Sequence, residues 1–507
     1  MTALRPRVAY FSPLPPDPSG IADYSDELLP YLDERWEVDL FVDGYRPSSD
    51  AVKAHRLIDC AATDPVPQLA EYDAVVYHVG NSESHNYIYD TLMRFPGLVV
   101  LHELSLQHSI AKRTVGEGRK DLYMKEMREN HGSAGAERAR RALFGSEMMP
   151  WDSDPLTYPL NRRVLASATG VLVFSRFVED AIAKVYPDLY VSRVEQHAAP
   201  IPEEALTLWQ ERLDATDAAA AGQHSPGAAP VCRFVTAGNL TPTKCVELTI
   251  RALSRLQQRV PIEYRLIGRT QLAGDIETQI RQHGLEGKVK LEGRVTDDEL
   301  YHGLASADVC VCLRKPTLGE TSAIAMRALA CGVPLVVSED GWFRELPDSI
   351  AIKVAVGGRE DRGLERALEA LARDPARRRA MSEAARDFAK ERTPSRSAED
   401  YDAFVRKAGF FRRRWVGRGF HRLCERYREL DLEYAGVAAK DRAVLVAEMS
   451  DWKNVPLKRW RDTNLGDGKA SPDRDPTLRD ESTPTEGLIE PSSSAHSKRQ
   501  LAVGRPE

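Results

Sequence analysis

Several things are missing from this 507-residue chain, and each absence removes a class of protein. No C-x-x-C pair occurs among its seven cysteines, Cys60, Cys232, Cys245, Cys310, Cys312, Cys331 and Cys424. Scattered thiols of this kind speak against a disulfide framework or a zinc ribbon and lead us to expect a reduced, cytoplasmic setting. No uninterrupted apolar run approaches the roughly 20 residues that cross a bilayer. The opening Met1–Phe11 lacks the apolar core and cleavage site of a secretory signal. No G-x-G-x-x-G fingerprint follows a strand, so a nicotinamide dehydrogenase loses its main support. Charge of one sign is not in excess: 70 Lys and Arg against 76 Asp and Glu leave a formal −6, which gives no reason to expect nucleic acid as a partner. No His, Cys, Asp and Glu set has the spacing of a metal site, and Asp152-Ser153-Asp154 is an isolated D-x-D before Pro155. Neither a metal nor a cofactor is expected.

What is present is alternation. Short apolar runs at Arg7–Phe11, Val38–Val42, Ala74–Val79, Leu98–Leu101 and Val171–Phe174 read as buried strands. The segments Ile21–Leu32, Tyr87–Phe95, Leu106–Asn130, Arg162–Ser167 and Phe177–Tyr186 have helical spacing or composition. A second set of strands (Arg233–Ala237, Tyr264–Ile267, Val289–Leu291, Val309–Leu313, Leu335–Val337, Ala351–Val354) again alternates with helical segments. Strand–helix alternation predicts an α/β protein with parallel sheets covered on both faces. At this length two such halves facing a cleft are expected. We expect a first Rossmann-like domain over 1–202 and an Ala-, Gly- and Pro-rich linker over 203–230. A second Rossmann-like domain follows over 231–395, then a helical segment over 396–462 that packs back on the first domain. The polar tail from 463 to 507 has too few large apolar side chains to offset its ordering entropy and is expected to be disordered. Residues 409–428 combine Phe410, Phe411, Trp415 and Phe420 with seven Arg, and this run has two readings. It docks on the first domain, or it rests on an anionic membrane surface.

Polar chemistry gathers where strands end. Arg314 to Val337 reads as a strand end, a loop bearing Arg314 and Glu320, then Thr321 and Ser322 at the start of a helix that carries Arg327. Backbone N–H groups and the dipole at such a helix start favour an anion, most often phosphate. A carboxylate beside a phosphate site fits a ligand with phosphate at one end and hydroxyls at the other, a nucleotide-sugar. Glu320 and Arg327, two turns apart, are expected on one helix face. The segment Ala237–Cys245 repeats the strand–Gly–loop–helix plan, with Gly238, Asn239 and Lys244. Its bland reading is a solvated surface Lys. The loop 12–25 carries Gly20, Asp23 and Tyr24, and its bland reading is a turn in which Gly20 takes a positive φ. His102 ends a buried strand at the sheet's C-terminal edge, where it bonds a ligand hydroxyl or simply a carboxylate such as Glu103. His78, followed by Gly80 and Asn81, carries a weaker version of the same reading.

In this order the pieces resemble the GT-B glycosyltransferases of the large retaining group often called family 4, across roughly residues 6–400. That family has a Gly-Arg-Leu-x-x-x-Lys-Gly loop; here it reads Gly238-Asn239-Leu240-Thr241-Pro242-Thr243-Lys244-Cys245. Its E-x7-E signature runs into a C-G-x-P-V-V strand, matched here by Cys331 to Val337. Aligned from that strand, the second Glu falls on Arg327 and the first on Gly319, with Glu320 one residue later. This G-E-T-S version looks like a subgroup of the family. The resemblance implies a nucleotide-sugar donor held by Gly20, Gly238, Asn239, Lys244, Arg294, Val295, Arg314, Glu320, Thr321, Ser322 and Arg327. His102, Glu320 and Lys244 would be the catalytic groups, with a glycan or lipid-linked acceptor and no bound metal. Arg314 would supply the charge that Asn239 lacks. Arg327 has donors only and cannot accept from ribose hydroxyls. These two departures support a competing reading, a binding or scaffold protein that has lost catalysis. A GT-B epimerase or phosphorylase is a third.

Overall fold

The computed structural model describes residues 5–411, apart from 221–230, 356 and 358–359. Two parallel sheets organise it. The first contains β1 (Arg7–Phe11), β2 (Glu37–Val42), β3 (Arg56–Asp59), β4 (Ala74–Val79), β5 (Gly97–Leu101), β6 (Ala168–Val173) and β7 (Val191–Arg193), in the order β3-β2-β1-β4-β5-β6-β7. The second contains β8 (Cys232–Ala237), β9 (Ile262–Ile267), β10 (Val289–Gly293), β11 (Val309–Cys312), β12 (Leu335–Ser338) and β13 (Ala351–Val354), in the order β10-β9-β8-β11-β12-β13. Every pairing is parallel, and the central strands β1, β4, β5, β8, β11 and β12 are buried almost throughout. This is why they read as continuous apolar runs rather than alternating ones. Each sheet reverses its winding between its first and fourth strands. The loops after β1 and β4, and after β8 and β11, therefore open at two switch points, where α/β sheets hold ligands.

Six helices shape the space between the sheets: α1 (Gly20–Leu32), α2 (Arg176–Val185), α3 (Glu203–Ala220), α4 (Val246–Leu256), α5 (Ala323–Ala330) and α6 (Pro394–Phe411). Helix α1 shows the local logic. Ser19 caps it by accepting from the N–H groups of Ile21 and Ala22, and Ala22, Tyr24, Ser25, Leu28, Leu29 and Leu32 form its buried stripe. Helix α6 crosses back to the first sheet. Tyr401, Phe404 and Val405 join the core of Val8, Tyr10, Tyr24 and Leu28, and Trp36 Nε1 donates to Asp402 at 2.9 Å.

The helical piece read at the start of 203–230 is α3 over Glu203–Ala220, whose Arg212 donates to the carbonyls of Ala307 and Gly332 and so ties it to the second domain. The structure departs from the sequence expectations in two places. Leu106–Asn130 is not one helix. It divides into Gln107–Ala111, a wide turn over Lys112–Gly116, and a helix from Lys120, with Gly118 at φ +74° between. Strands β3 and β7 were missed because they are short sheet edges, only four and three residues long, and carry little apolar signal. The stretch from 412 onward, including Trp415 and Phe420 and the expected tail over 463–507, lies outside the described residues.

Candidate active site

A cleft of about 890 Å³ lies between the two sheets, and every residue singled out for donor binding or catalysis lines it: Gly20, His102, Gly238, Asn239, Lys244, Arg294, Val295, Arg314, Glu320, Thr321, Ser322 and Arg327. Backbone and side-chain bonds span it. Ser105 N–H donates to Leu318 O at 2.9 Å, Thr321 Oγ1 to Gln196 Oε1 at 3.0 Å, and Glu345 accepts from the N–H groups of Arg176 and Phe177 at the start of α2. The last contact places a carboxylate from the second domain on a helix N-terminus of the first.

Loop geometry brings Lys244 into the floor of the cleft. Gly238 has φ +89°, and a Cβ at Gly268 would lie 2.0 Å from Gly238 O, so two glycines let the loops after β8 and β9 touch. A short 3₁₀ turn follows, and Cys245 adopts φ +52°. This is the position where the resembling family carries Gly, and the left-handed backbone is retained although the side chain is not. Lys244 is buried, and its ammonium donates to Ala237 O. Burial, followed by repulsion from Arg314, lowers its pKa to about 7.

Glu320 lies before α5, not on it. Ser322 caps the helix by accepting from Ala325 N–H at 3.2 Å, so the helix starts at Ala323. Glu320 therefore stays in the loop and does not share a helix face with Arg327, contrary to the spacing argument. Its carboxylate is held by Arg314 Nε at 3.0 Å, Thr317 Oγ1 at 3.0 Å and Leu318 N–H at 2.7 Å. Arg314 is anchored in turn through its own N–H to Ser338 Oγ at 2.9 Å. Arg314 is thus the partner of Glu320 as well as a cation beside Lys244.

Arg327 points across the cleft. Its guanidinium meets Glu27 Oε1 at 2.9 Å and Asp23 Oδ2 at 3.5 Å on α1, and Glu27 also bonds His197 at 3.2 Å. Burial disfavours the charge on Arg327, but Glu27, Tyr301 and Asp23 outweigh it and raise its pKa. Burial likewise opposes ionisation of Glu27, and His197 and Arg327 overcome it, leaving the pKa lowered. Asp23 is raised, because burial there exceeds the help from Arg327.

On the first-domain side, Gly20 is the first residue of α1, has no positive φ, and a Cβ there would meet nothing within 4 Å. It does not make a left-handed turn, and nothing close to it requires a glycine there. His102 does not bond Glu103. Its Nε2 lies 2.9 Å from Nδ1 of the fully buried His78. Asn81 instead donates to Glu103 and to Ser105 O. Burial, then the negative charge of Glu320, pushes Glu103 up to about 7. Glu103, Glu27 and Gln196 went unnoticed as site residues. Only their closeness to Asn81, Asp23 and the domain crossover marks them, and none of that is a sequence motif. Arg294 and Val295 follow β10 at the cleft rim, Arg294 exposed.

The two walls differ in charge. Among the lining residues the first domain contributes Asp17, Asp23, Asp26, Glu27 and Glu103 and no Lys or Arg, whereas the second contributes Lys244, Arg269, Arg294, Arg314 and Arg327 against Asp297 and Glu320. The cationic wall, with the start of α5, can hold an anion, and the fixed carboxylate of Glu320 can accept from hydroxyls. Away from the cleft, Asp154 of the D-x-D pairs with Arg138 at 2.9 Å.

Residues 232–388 match the family described as Glycosyl transferases group 1. No curated protein matches the sequence. Among solved structures, the chain resembles an Anabaena protein, Alr3699/HepE, determined with UDP-glucose, at 14% identity, TM-score 0.52, over 80% of this chain and all of that one. It also resembles sucrose-phosphate synthase from Thermosynechococcus elongatus, at 17% identity and TM-score 0.50, over 81% and 99%. A glycosyltransferase from Rickettsia africae is similar at 13% identity and TM-score 0.50, over 80% and 98%. The fold is therefore GT-B, two Rossmann-like domains facing a cleft, and its second domain matches the group 1 glycosyltransferase family.

Proposed function

We propose that the protein is a retaining glycosyltransferase of the family 4 type, moving a sugar from a nucleotide-diphosphate-sugar to a glycan or lipid-linked acceptor without a bound metal. One observation carries the reading: Lys244, Arg314 and Glu320 stand at the switch point of the second sheet and face His102 across a single cleft. The donor's diphosphate lies over the start of α5 and beside Lys244, with the base toward Arg294 and Val295. As the sugar–phosphate bond breaks, charge grows on the leaving phosphate oxygen, where Lys244, Arg314 and the helix dipole stabilise it. Asn239 adds a hydrogen bond without charge. Glu320, immobilised by three donors, retains lone pairs for sugar hydroxyls and needs no reorganisation to use them. His102 holds a donor or acceptor hydroxyl. Closure of the two domains excludes water and limits hydrolysis. Gly20, Thr321 and Ser322 shape the anion site through backbone and cap, and Arg327 joins the walls. No described helix is long and apolar enough to cross a membrane; the basic and aromatic run 409–428 is the part of the chain suited to peripheral contact with an anionic one.

The Anabaena neighbour, solved with UDP and with UDP-glucose, makes a uridine donor the first to try. Thermal unfolding with UDP-, GDP- and ADP-sugars tests binding, because a ligand specific for the native state raises apparent stability. Lys244→Ala and Glu320→Ala, assayed for transfer and for the anomeric configuration of the product, test the roles; unchanged transfer in both variants would sink the assignment. The loss of a Glu at Arg327, already paired with Glu27, favours the alternative of a binding protein without turnover. Donor binding with no transfer to any acceptor would support it.

A further inference from the structure

Two imidazoles touch at the edge of the first sheet, and their geometry constrains the chemistry of the cleft. His78 lies on β4 and is fully buried, its ring 4.7 Å from Tyr10 and 6.2 Å from Tyr401, centroid to centroid. His102 follows β5, the neighbouring strand, with its ring against Phe174 at 4.9 Å and edge-on to Tyr24 at 5.5 Å. The Nδ1 of His78 and Nε2 of His102 are 2.9 Å apart, so one proton lies between them. His78 Nε2 is buried without a partner. Among the described residues, His102 Nδ1 has no hydrogen-bond partner, and the residue lines the cleft.

Both rings are neutral in this setting. Burial drives the His78 pKa down to about 3, and burial plus the neighbouring His78 holds His102 well below its ordinary value. Each ring then carries one proton, and two arrangements remain. If His102 donates, His78 must keep its proton on Nε2, a buried N–H with no acceptor. If His78 donates, its Nε2 is left as a bare lone pair. Orphaned buried N–H groups are the rarer and costlier defect. The second arrangement wins.

We propose that His78 is a positioning residue that donates from Nδ1 to His102 Nε2 and thereby fixes His102 as the Nδ1–H tautomer, a hydrogen-bond donor toward the cleft. His102 then offers a hydrogen to a ligand oxygen and has no free lone pair with which to remove a proton. The tautomer assignment stands on the two rings alone. What the donated hydrogen bond serves rests on the glycosyltransferase reading.

The test uses the full chain labelled with ¹⁵N-histidine. Long-range ¹H–¹⁵N correlation distinguishes protonated from bare ring nitrogens, and His102→Gln identifies the His102 signals by their loss. Protonated Nδ1 on both His78 and His102 is the expected result; a protonated Nε2 on His102 overturns the proposal. A second arm compares His78→Leu, which fills the site without a donor, with His78→Asn, which retains one N–H. Leu is expected to mix the His102 tautomers and lower kcat about tenfold, as befits a lost hydrogen bond, while Asn recovers both. If Leu and Asn behave alike, or Leu keeps pure Nδ1–H, the positioning role is wrong. If no nucleotide-sugar is turned over, the tautomer measurement still decides the inference, and only the functional reading falls.

Discussion

Lys244 is the residue whose chemistry the structure changes most, and replacing it with Met follows from a sign argument. In the unfolded chain its pKa is near 10.4; in the cleft, burial and Arg314 lower it to about 7. Between those values the unfolded state binds the extra proton, so stability rises with pH across that window. At pH 7 the folded protein carries a penalty of about 4 kcal/mol, from roughly 3.5 pKa units at 1.36 kcal/mol each, less the fraction still protonated. Met follows the path of the lysine stem and is never charged. Against the gain stands the lost donor to Ala237 O, about 1 kcal/mol. Lys244→Met should therefore be about 3 kcal/mol more stable than wild type at pH 7; the advantage should reach zero at about pH 9.7, where the remaining penalty equals the lost bond, and reverse above it. Urea unfolding of both proteins from pH 6 to 10.5 measures it. The same shift couples binding to protons. A nucleoside diphosphate favours the ammonium, so above pH 7 binding takes up close to one proton, and the affinity for UDP falls about tenfold per pH unit. Calorimetry in buffers of different ionisation enthalpy reads that uptake, and it should disappear in Lys244→Met. A stability difference flat with pH, or binding without proton uptake at pH 8, would refute the reasoning.

Three further outcomes are expected. Glu103, raised to about 7, keeps its proton longer in the folded state, so ionisation destabilises the fold as pH rises from about 4.3 through 7. Glu103→Gln should match wild type at pH 4 and exceed it by about 3 kcal/mol at pH 8, read as the difference in urea midpoints. Arg327→Met leaves Asp23 without its cation and Glu27 with only His197, and because both carboxylates are partly exposed to the cleft it should cost about 1–3 kcal/mol. Adding Glu27→Gln should recover much of that loss in a double-mutant cycle. Cys245→Gly removes a side chain from a left-handed position at φ +52° and should raise stability by up to about 1 kcal/mol, seen as a higher melting temperature.

The fold was legible because parallel strands covered on both faces must be apolar throughout, and runs of four to six apolar residues bounded by turn residues are too short for a buried helix. Ala74–Val79 and Val309–Cys312 declare themselves in one dimension. Edge strands such as Val191–Arg193 need only one partner and do not. That His102, Gly238 and Arg314 line the cleft was legible for the same reason, since each lies within two residues of the end of a buried strand, a known place in this topology.

What a side chain at that place touches was not legible. Arg327 looked like part of the anion site and is the partner of Glu27, some 300 positions away in sequence. Glu320 was expected to share a helix face with Arg327 and is a loop carboxylate held by Arg314 and Leu318. His102 was offered Glu103, one residue away, and found His78 on the next strand. Local patterning decides which segments are buried, because burial depends on composition and period. Ion pairs, tautomers and shifted pKa values depend on distances of about 3 Å between residues far apart in the chain, and only the packed tertiary structure sets those.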